Sequence, residues 1–524
     1  MSAVVGTAPA LPINPADWSY LAEGGFHIIL RYDGEDPELS GRILRIGKKA
    51  LGHQKEGGGK AEPAATAAAA TAAMVVPDEA GARRKFERGV LIPLLGEQYV
   101  QPGDAVTLSR EDIGKIHLSI DHLRPEGRIK KDNGDWSSAC QLEPDKTAFW
   151  LKLPSAPSTA GPAAPTEDCK KKGVVIAVEI KPKGATMPVG TLVPPGNNRL
   201  KYRVARFDAQ QRFKAQGKQS WGSIDKPCLY HPRELYSGDA GRAAATLKEL
   251  MKTPQNKLRA WENGNMLFGA GSGKGGEDMT KSGETAGEVA LGKAVTVAGL
   301  AGGDGTPAEA LMDLVGEILA KEPLVSRLVA AQALDVLEVE GGGLVFNKLV
   351  SLCGGSKEEA LNMLEAQESD PFVAEPTDED LLVPEATLEA LRAGSPVVTG
   401  EASSIDTLHA KGLLAVEKLG VKDCVQLLRR YIIALGVMDC SVMMSLKSIP
   451  AAPEGSPGGE TQPSAVQGKD AAGVFQTGDG RRVAYCVSVV DAGPKPPTKL
   501  SGKAKHEAEI WDFVAGLEEA GQVI

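Results

Sequence analysis

Cysteine, histidine and aromatic side chains are scarce in this 524-residue chain, and long apolar runs are missing. The seven cysteines, at 140, 169, 228, 353, 424, 440 and 486, are odd in number and form no CxxC pair. That spacing argues against a disulfide framework and for a reduced intracellular protein. The seven histidines do not join them at ligand spacing, so no zinc site is expected. No stretch reaches the ~18 apolar residues that cross a bilayer. The first residues, MSAVVGTAPALPINPADW, have neither the basic start nor the apolar run of a signal peptide. Positive charge is not in excess either: 59 Lys and Arg face 68 Asp and Glu, for a net −9. No overall field therefore draws the chain to nucleic acid or a membrane. The expectation is a soluble monomer of the cytoplasm or nucleus. Any anionic ligand must be gathered by a local cluster of cations, which a Debye length of roughly 8 Å allows.

What the chain has in quantity is apolar residues (42%), 61 glycines and 34 prolines. Its length suits two lobes rather than one core. Low-complexity or polar stretches at 53–74, 154–173, 269–288, 354–382 and 450–470 read as surface insertions. Between them, FHIILRYDG and GRILRIGKK read as strands, as do VVIAVEI, CSVMMSL and VAYCVSVVD. Helical periodicity runs through 302–335 and VKDCVQLLRRYIIAL. The division expected is a strand-rich lobe over 1–145 with an insertion at 53–80, a linker over 146–172, and a larger mixed lobe over 173–524. The fold class is α+β.

Several constellations carry possible chemistry. In VEIKPK, strand alternation projects Glu179, Lys181 and Lys183 to one side, while Pro182 ends pairing. Such a row suits a polyanion, or simply a solvated strand end. Gly24 and Gly25 in AEGGFHIIL allow backbone amides to approach phosphates, or form an ordinary hairpin turn. Arg45, in the next strand, is a phosphate partner or a surface residue. GAGSGKGG fails as a phosphate loop: no glycine lies at the required spacing, Lys274 is followed by glycine, and no apolar strand leads into it. Arg206, Lys214 and Arg259 lie in basic segments with interleaved aromatics, and Arg128 follows Pro125 in RPEGRIKK. Asp439 and Asp491 stand at strand ends, where phosphotransfer enzymes place a base and a metal ligand and where structural caps also occur.

Together, DWSYLAEGGFHIIL, GRILRIGKK, GVLIPLLG, RPEGR, VEIKPK, ARFDAQQRFK, YHPRELYSG, TPQNKLRAWENG, MDCSVMMSL and VSVVDAGPKP resemble the inositol-pentakisphosphate 2-kinase family, nearest its plant form, in order and over nearly the whole chain. The resemblance implies a two-lobed fold distantly similar to protein kinases. It implies ATP and Mg²⁺, and transfer of phosphate to the axial 2-hydroxyl of inositol pentakisphosphate to give the hexakisphosphate. It assigns ATP to Gly24, Gly25, Phe26, His27, Arg45, Glu179, Lys181, Arg259 and Asp491, with Asp491 holding magnesium. Inositol phosphate falls to Arg128, Lys183, Lys214, Asn256, Asp439, Lys495, Lys499 and Lys503, with Asp439 as general base and Lys181 as a second catalytic residue. His27 stands where the plant family has an asparagine, and Lys499 and Lys503 where it has an arginine and a tyrosine. The plant zinc site has no counterpart in 340–420. Two other functions compete: a non-catalytic inositol-phosphate-binding or scaffold protein, and a kinase for another inositol polyphosphate. Both aspartates being present favours catalysis.

Overall fold

The computed structural model describes residues 9–24, 27–48, 79–129, 136–148, 173–188, 196–216, 227–255, 257–269, 283–303, 305–366, 416–449, 472–493 and 500–521. These form a mixed α/β structure with two antiparallel sheets, divided between two compact units.

The first unit takes in the described residues of Met1–Lys85 and Pro102–Asp145. Its sheet comprises β1 (Trp18–Glu23), β2 (His27–Tyr32), β3 (Arg42–Lys48), β4 (Asp104–Thr107) and β5 (Trp136–Pro144), in the order β1-β2-β3-β5-β4. The alternation in HIILRY buries Ile28, Leu30 and Tyr32, and these join Leu44, Ile46 and Cys140 in one core. The helix Arg110–Ile120 adds Ile113, Ile116 and Ile120 at helical spacing. Ser109 starts it by accepting a bond from the Asp112 N–H at 3.0 Å.

The second unit takes in the described residues of Phe86–Gln101, Lys146–Gly271 and Met279–Ile524. Phe86–Gln101 belongs here rather than with its neighbours in sequence because Phe86, Val90, Leu91, Leu94 and Leu95 enter this unit's core. The sheet holds β6 (Ile176–Ile180), β7 (Leu258–Glu262), β8 (Asn265–Phe268), β9 (Ser441–Ile449), β10 (Ala472–Gln476) and β11 (Arg482–Val490), ordered β10-β11-β9-β6-β7-β8. β6 is buried on both faces, its one charged residue, Glu179, included. Ile176, Val178 and Ile180 face the helical core, while Ala177 meets Trp261 and Met443 on the other side.

The 302–335 periodicity resolves into two helices, Pro307–Lys321 and Pro323–Gln332, separated where Pro323 starts the second. Gly316 lets the first approach Ala240–Lys252 closely, since an added Cβ would fall 2.7 Å from the Ala244 nitrogen.

Three local expectations differ from the structure. β8 does lead toward the glycine-rich segment at 270–276, which itself lies outside the described residues; the strand has four residues at a sheet edge, too short to read as apolar alternation. Within 354–382, Lys357–Ala366 is a helix that buries Ala360 and Leu364 one turn apart. The helix Gly283–Val297 likewise begins inside the expected interruption at 269–288.

Candidate functional site

The site in the second unit is built where β6 ends. Glu179 is paired in register with Arg259 on β7 and Met443 on β9. Its buried carboxylate accepts from Ser441 Oγ at 2.6 Å and from Arg259 Nη1 at 3.3 Å. Two of the expected ATP residues, Glu179 and Arg259, are thus one ion pair, held on the sheet face opposite the helical core.

Pairing continues for one bond past the strand, Lys181 N–H to the Lys257 carbonyl at 2.8 Å, and stops at Pro182, which has no N–H to donate. Beyond it the chain leaves strand geometry. Lys183 has φ +63°, in the left-handed region that non-glycine residues seldom occupy. The expected row of Glu179, Lys181 and Lys183 is therefore broken at its last member, which turns away from the strand. Buried groups hold this conformation: Tyr230 Oη donates to the Pro182 carbonyl at 2.8 Å, and Tyr236 Oη and Gln332 Nε2 donate to the Lys183 carbonyl at 3.0 and 3.1 Å.

Thus aimed, Lys183 Nζ donates to Asp439 Oδ1 at 2.8 Å. Asp439 ends the 18-residue helix Val421–Met438 and precedes β9. A carboxylate is a poor cap there, because it meets the negative end of the helix dipole. The ammonium of Lys183 offsets that repulsion.

Asp491 follows β11, whose last residue, Val490, is paired with Ser441, the first of β9. The two aspartates accordingly lie at the same end of adjacent strands, where paired Cα atoms are about 5 Å apart. Asp491 is exposed and also has a positive φ, +59°. Cys440, next to Asp439 in the chain, is fully buried. Burial pushes its thiol up to about 12, and the charges of Lys181, Asp439, Lys183 and Asp491 all act on it.

A cavity of about 380 Å³ opens beside the ion pair, lined by Lys183, Arg206, Phe207, Met438, Asp439 and Trp511 among others. That size lies in the range of small-molecule sites. Arg206, itself exposed, pairs with the buried Glu507 at 2.5 Å. Lys214 is half-buried; desolvation, then the charges of Lys183 and Arg206, lower its pKa.

Lys257 was not singled out by sequence pattern, yet it is buried beside this group. Burial, with Lys214 and Lys183 nearby, pushes its ammonium down to about 7. The one signal available was its place two residues before Arg259 in a strand-like run.

The first unit holds the remaining described candidates. The Gly24 N–H donates to the His27 carbonyl at 2.9 Å, closing the β1–β2 turn. Arg45 is buried and pairs with Glu143 at 2.8 Å. Arg128 lies half-exposed on the short helix Glu126–Ile129, its N–H bonded to the Pro125 carbonyl at 2.8 Å. An unexpected cluster fixes the glycine turn: Glu23, with a fully buried side chain, accepts from Lys48 at 2.6 Å and from Arg124 at 2.9 Å, and Lys48 also donates to the Gly24 carbonyl at 2.9 Å. Burial works against the Glu23 charge, but the Arg124 and Lys48 hydrogen bonds prevail and lower its pKa.

Gly25, Phe26, Asn256, Lys495 and Lys499 lie outside the described residues. Lys503 falls in the first turn of the helix Leu500–Glu519, with its side chain outside them. The zinc expectation concerns 340–420, much of which (367–415) is also outside.

Comparison with known proteins agrees with the motifs. The sequence profile described as inositol-pentakisphosphate 2-kinase matches residues 20–509. An inositol-pentakisphosphate 2-kinase of Arabidopsis thaliana is 28% identical over 338 residues, 63% of this chain and 68% of the relative. One of Oryza sativa subsp. indica is 27% identical over 342 residues, covering 64% and 69%. One of Danio rerio is 30% identical over 184 residues, covering 35% and 33%.

Proposed function

This chain belongs to the inositol-pentakisphosphate 2-kinase family, and on that premise we propose that it transfers the γ-phosphate of ATP to the axial 2-hydroxyl of inositol 1,3,4,5,6-pentakisphosphate, forming inositol hexakisphosphate. The observation that carries this reading is the Lys183–Asp439 ion pair at the same sheet end as Asp491, beside a cavity and a group of lysines.

Five phosphates at about −1.5 to −2 each give the acceptor a charge of roughly −8 to −10. A close cation contributes up to ~4 kcal/mol of attraction at an effective dielectric near 20, before desolvation. Lys183 and Lys214 supply such charge in the second unit, with Arg128, Asn256, Lys495, Lys499 and Lys503 assigned the same task. Asp439, oriented by Lys183, accepts the proton of the 2-hydroxyl as its oxygen attacks phosphorus. Lys181 and Arg259 bind nucleotide phosphates, and Glu179 keeps Arg259 in position through the 3.3 Å contact. Gly24, Gly25, Phe26, His27 and Arg45 are assigned to the nucleotide as well.

Asp491 suits magnesium, which prefers oxygen ligands and binds through one or two carboxylates plus substrate phosphates. Its exposed carboxylate at a strand end meets that need. Magnesium held there would neutralise charge on the transferring phosphate. The kinase-like fold is part of the same reading, supported by a strand-rich unit and a larger mixed one.

Incubation with Mg-ATP and a panel of inositol phosphates, resolved by anion-exchange chromatography, tests the proposal. Hexakisphosphate from the pentakisphosphate is the expected product. Binding without product favours the non-catalytic reading, and faster turnover of a less phosphorylated inositol favours a different substrate.

A further inference from the structure

Lys257 occupies a position that is costly for a structural lysine. It is 5% exposed. Its backbone is fixed at both ends, N–H to the Pro254 carbonyl at 2.9 Å and carbonyl to the Lys181 N–H at 2.8 Å. Its Nζ lies 5.5 Å from the Phe207 ring centroid, and Phe207 also lines the cavity that contains Lys183 and Asp439. Nζ donates to Gln255 Oε1, and Gln255 in turn donates to Gln211 at 2.7 Å. Gln255 takes a left-handed backbone, φ +49°, in making this contact. Among the described residues, the titratable groups that act on Lys257 are Lys214, Cys228 and Lys183, with no carboxylate.

Resting on the functional reading above, we propose that Lys257 is a further phosphate-binding residue of the inositol phosphate site, acting beside Lys214 and Lys183. A buried ammonium with cations for neighbours is unfavourable until an anion arrives, and a methionine would fill the same space without that cost. The cost is repaid when a phosphate monoester comes within reach of all three lysines. Near neutral pH a share of the empty protein carries Lys257 uncharged, because burial and then Lys214 depress its pKa to about 7. Ligand binding raises that pKa, so Nζ takes a proton from solvent as the complex forms. Affinity and protonation are thereby linked at one residue.

Calorimetric titration of the full chain with inositol pentakisphosphate at about pH 7.5, in buffers of different ionisation enthalpy, counts the protons exchanged. The wild type is expected to take up more protons per binding event than Lys257→Met, and Lys257→Met to bind about tenfold more weakly. Lys257→Arg, charged throughout, is expected to bind near wild-type strength while showing the smaller proton uptake. Should Lys257→Met not fold, the arginine variant alone decides. Equal uptake and affinity in the wild type and the variants overturns the proposal while leaving the functional reading intact. Absence of wild-type binding overturns both.

Discussion

Gln332 grips the backbone on both sides of Gly184. Its Nε2 donates to the Lys183 carbonyl at 3.1 Å, and its Oε1 accepts from the Ala185 N–H at 2.9 Å. The side chain is fully buried and comes from the end of a helix 149 residues further along the chain. It is what makes the left-handed Lys183 affordable, since such a conformation costs on the order of 1–3 kcal/mol.

Gln332→Leu removes these bonds and the one Nε2 makes to Tyr236 Oη, leaving the buried Ala185 N–H unsatisfied and the Lys183 carbonyl with Tyr236. The expected loss is about 2–4 kcal/mol of stability, read by urea denaturation, with weaker inositol phosphate binding by the folded fraction. A variant as stable as wild type and equal in affinity would mean that Tyr230 and Tyr236 suffice to hold the turn.

Glu179→Gln keeps the shape of the side chain but removes the charge that holds Arg259. The KM for ATP is expected to rise by about tenfold, with the KM for inositol pentakisphosphate unchanged. Steady-state kinetics with each substrate varied in turn separates the two. A rise confined to the inositol phosphate would move the pair to the other substrate.

The stability of the empty protein is expected to rise with pH above neutrality because of Lys257. Its folded pKa, about 7, lies below the unfolded value near 10.4. Between those values the unfolded chain binds more protons, so each step up in pH favours the folded state. Thermal melts from about pH 7 to pH 9 should therefore show a smaller upward slope in Lys257→Met than in wild type. Parallel slopes would show that Lys257 is charged throughout in the folded state.

Glu23 contributes a slope of the same sign at the acid end. Its folded pKa is lowered, so its contribution is complete above the unfolded value and is lost as pH falls through the folded one. Glu23→Gln should lessen the acid sensitivity of the first unit, while Arg124→Met should destabilise it by about 3–5 kcal/mol by leaving buried charge poorly compensated. Acid titration followed by tryptophan fluorescence reports both.

Much of the architecture was legible because it is local. The apolar run of β6, the arrest of pairing at Pro182 and the standing of Asp439 and Asp491 at strand ends all follow from neighbours in sequence. What was not legible depends on partners far along the chain. Alternation placed Lys183 in line with Glu179, but Tyr236 and Gln332, 53 and 149 residues away, turn it toward Asp439. Arg45 could be placed in a strand, yet Glu143 as its partner, 98 residues on, could not. Lys257 sits in a polar segment that reads as exposed, and only the packing of Phe207 and the fold of β7 bury it. The family resemblance supplied roles for such residues without supplying their geometry.

The central claim is that Asp439, tied to Lys183, is the base for the 2-hydroxyl. Its most direct test is to measure hexakisphosphate formation and inositol pentakisphosphate affinity together in Asp439→Asn. Affinity within a few-fold of wild type and a rate lowered by about 10²–10⁴ is the predicted result. A rate close to wild type, or a loss fully accounted for by lost binding, would contradict it.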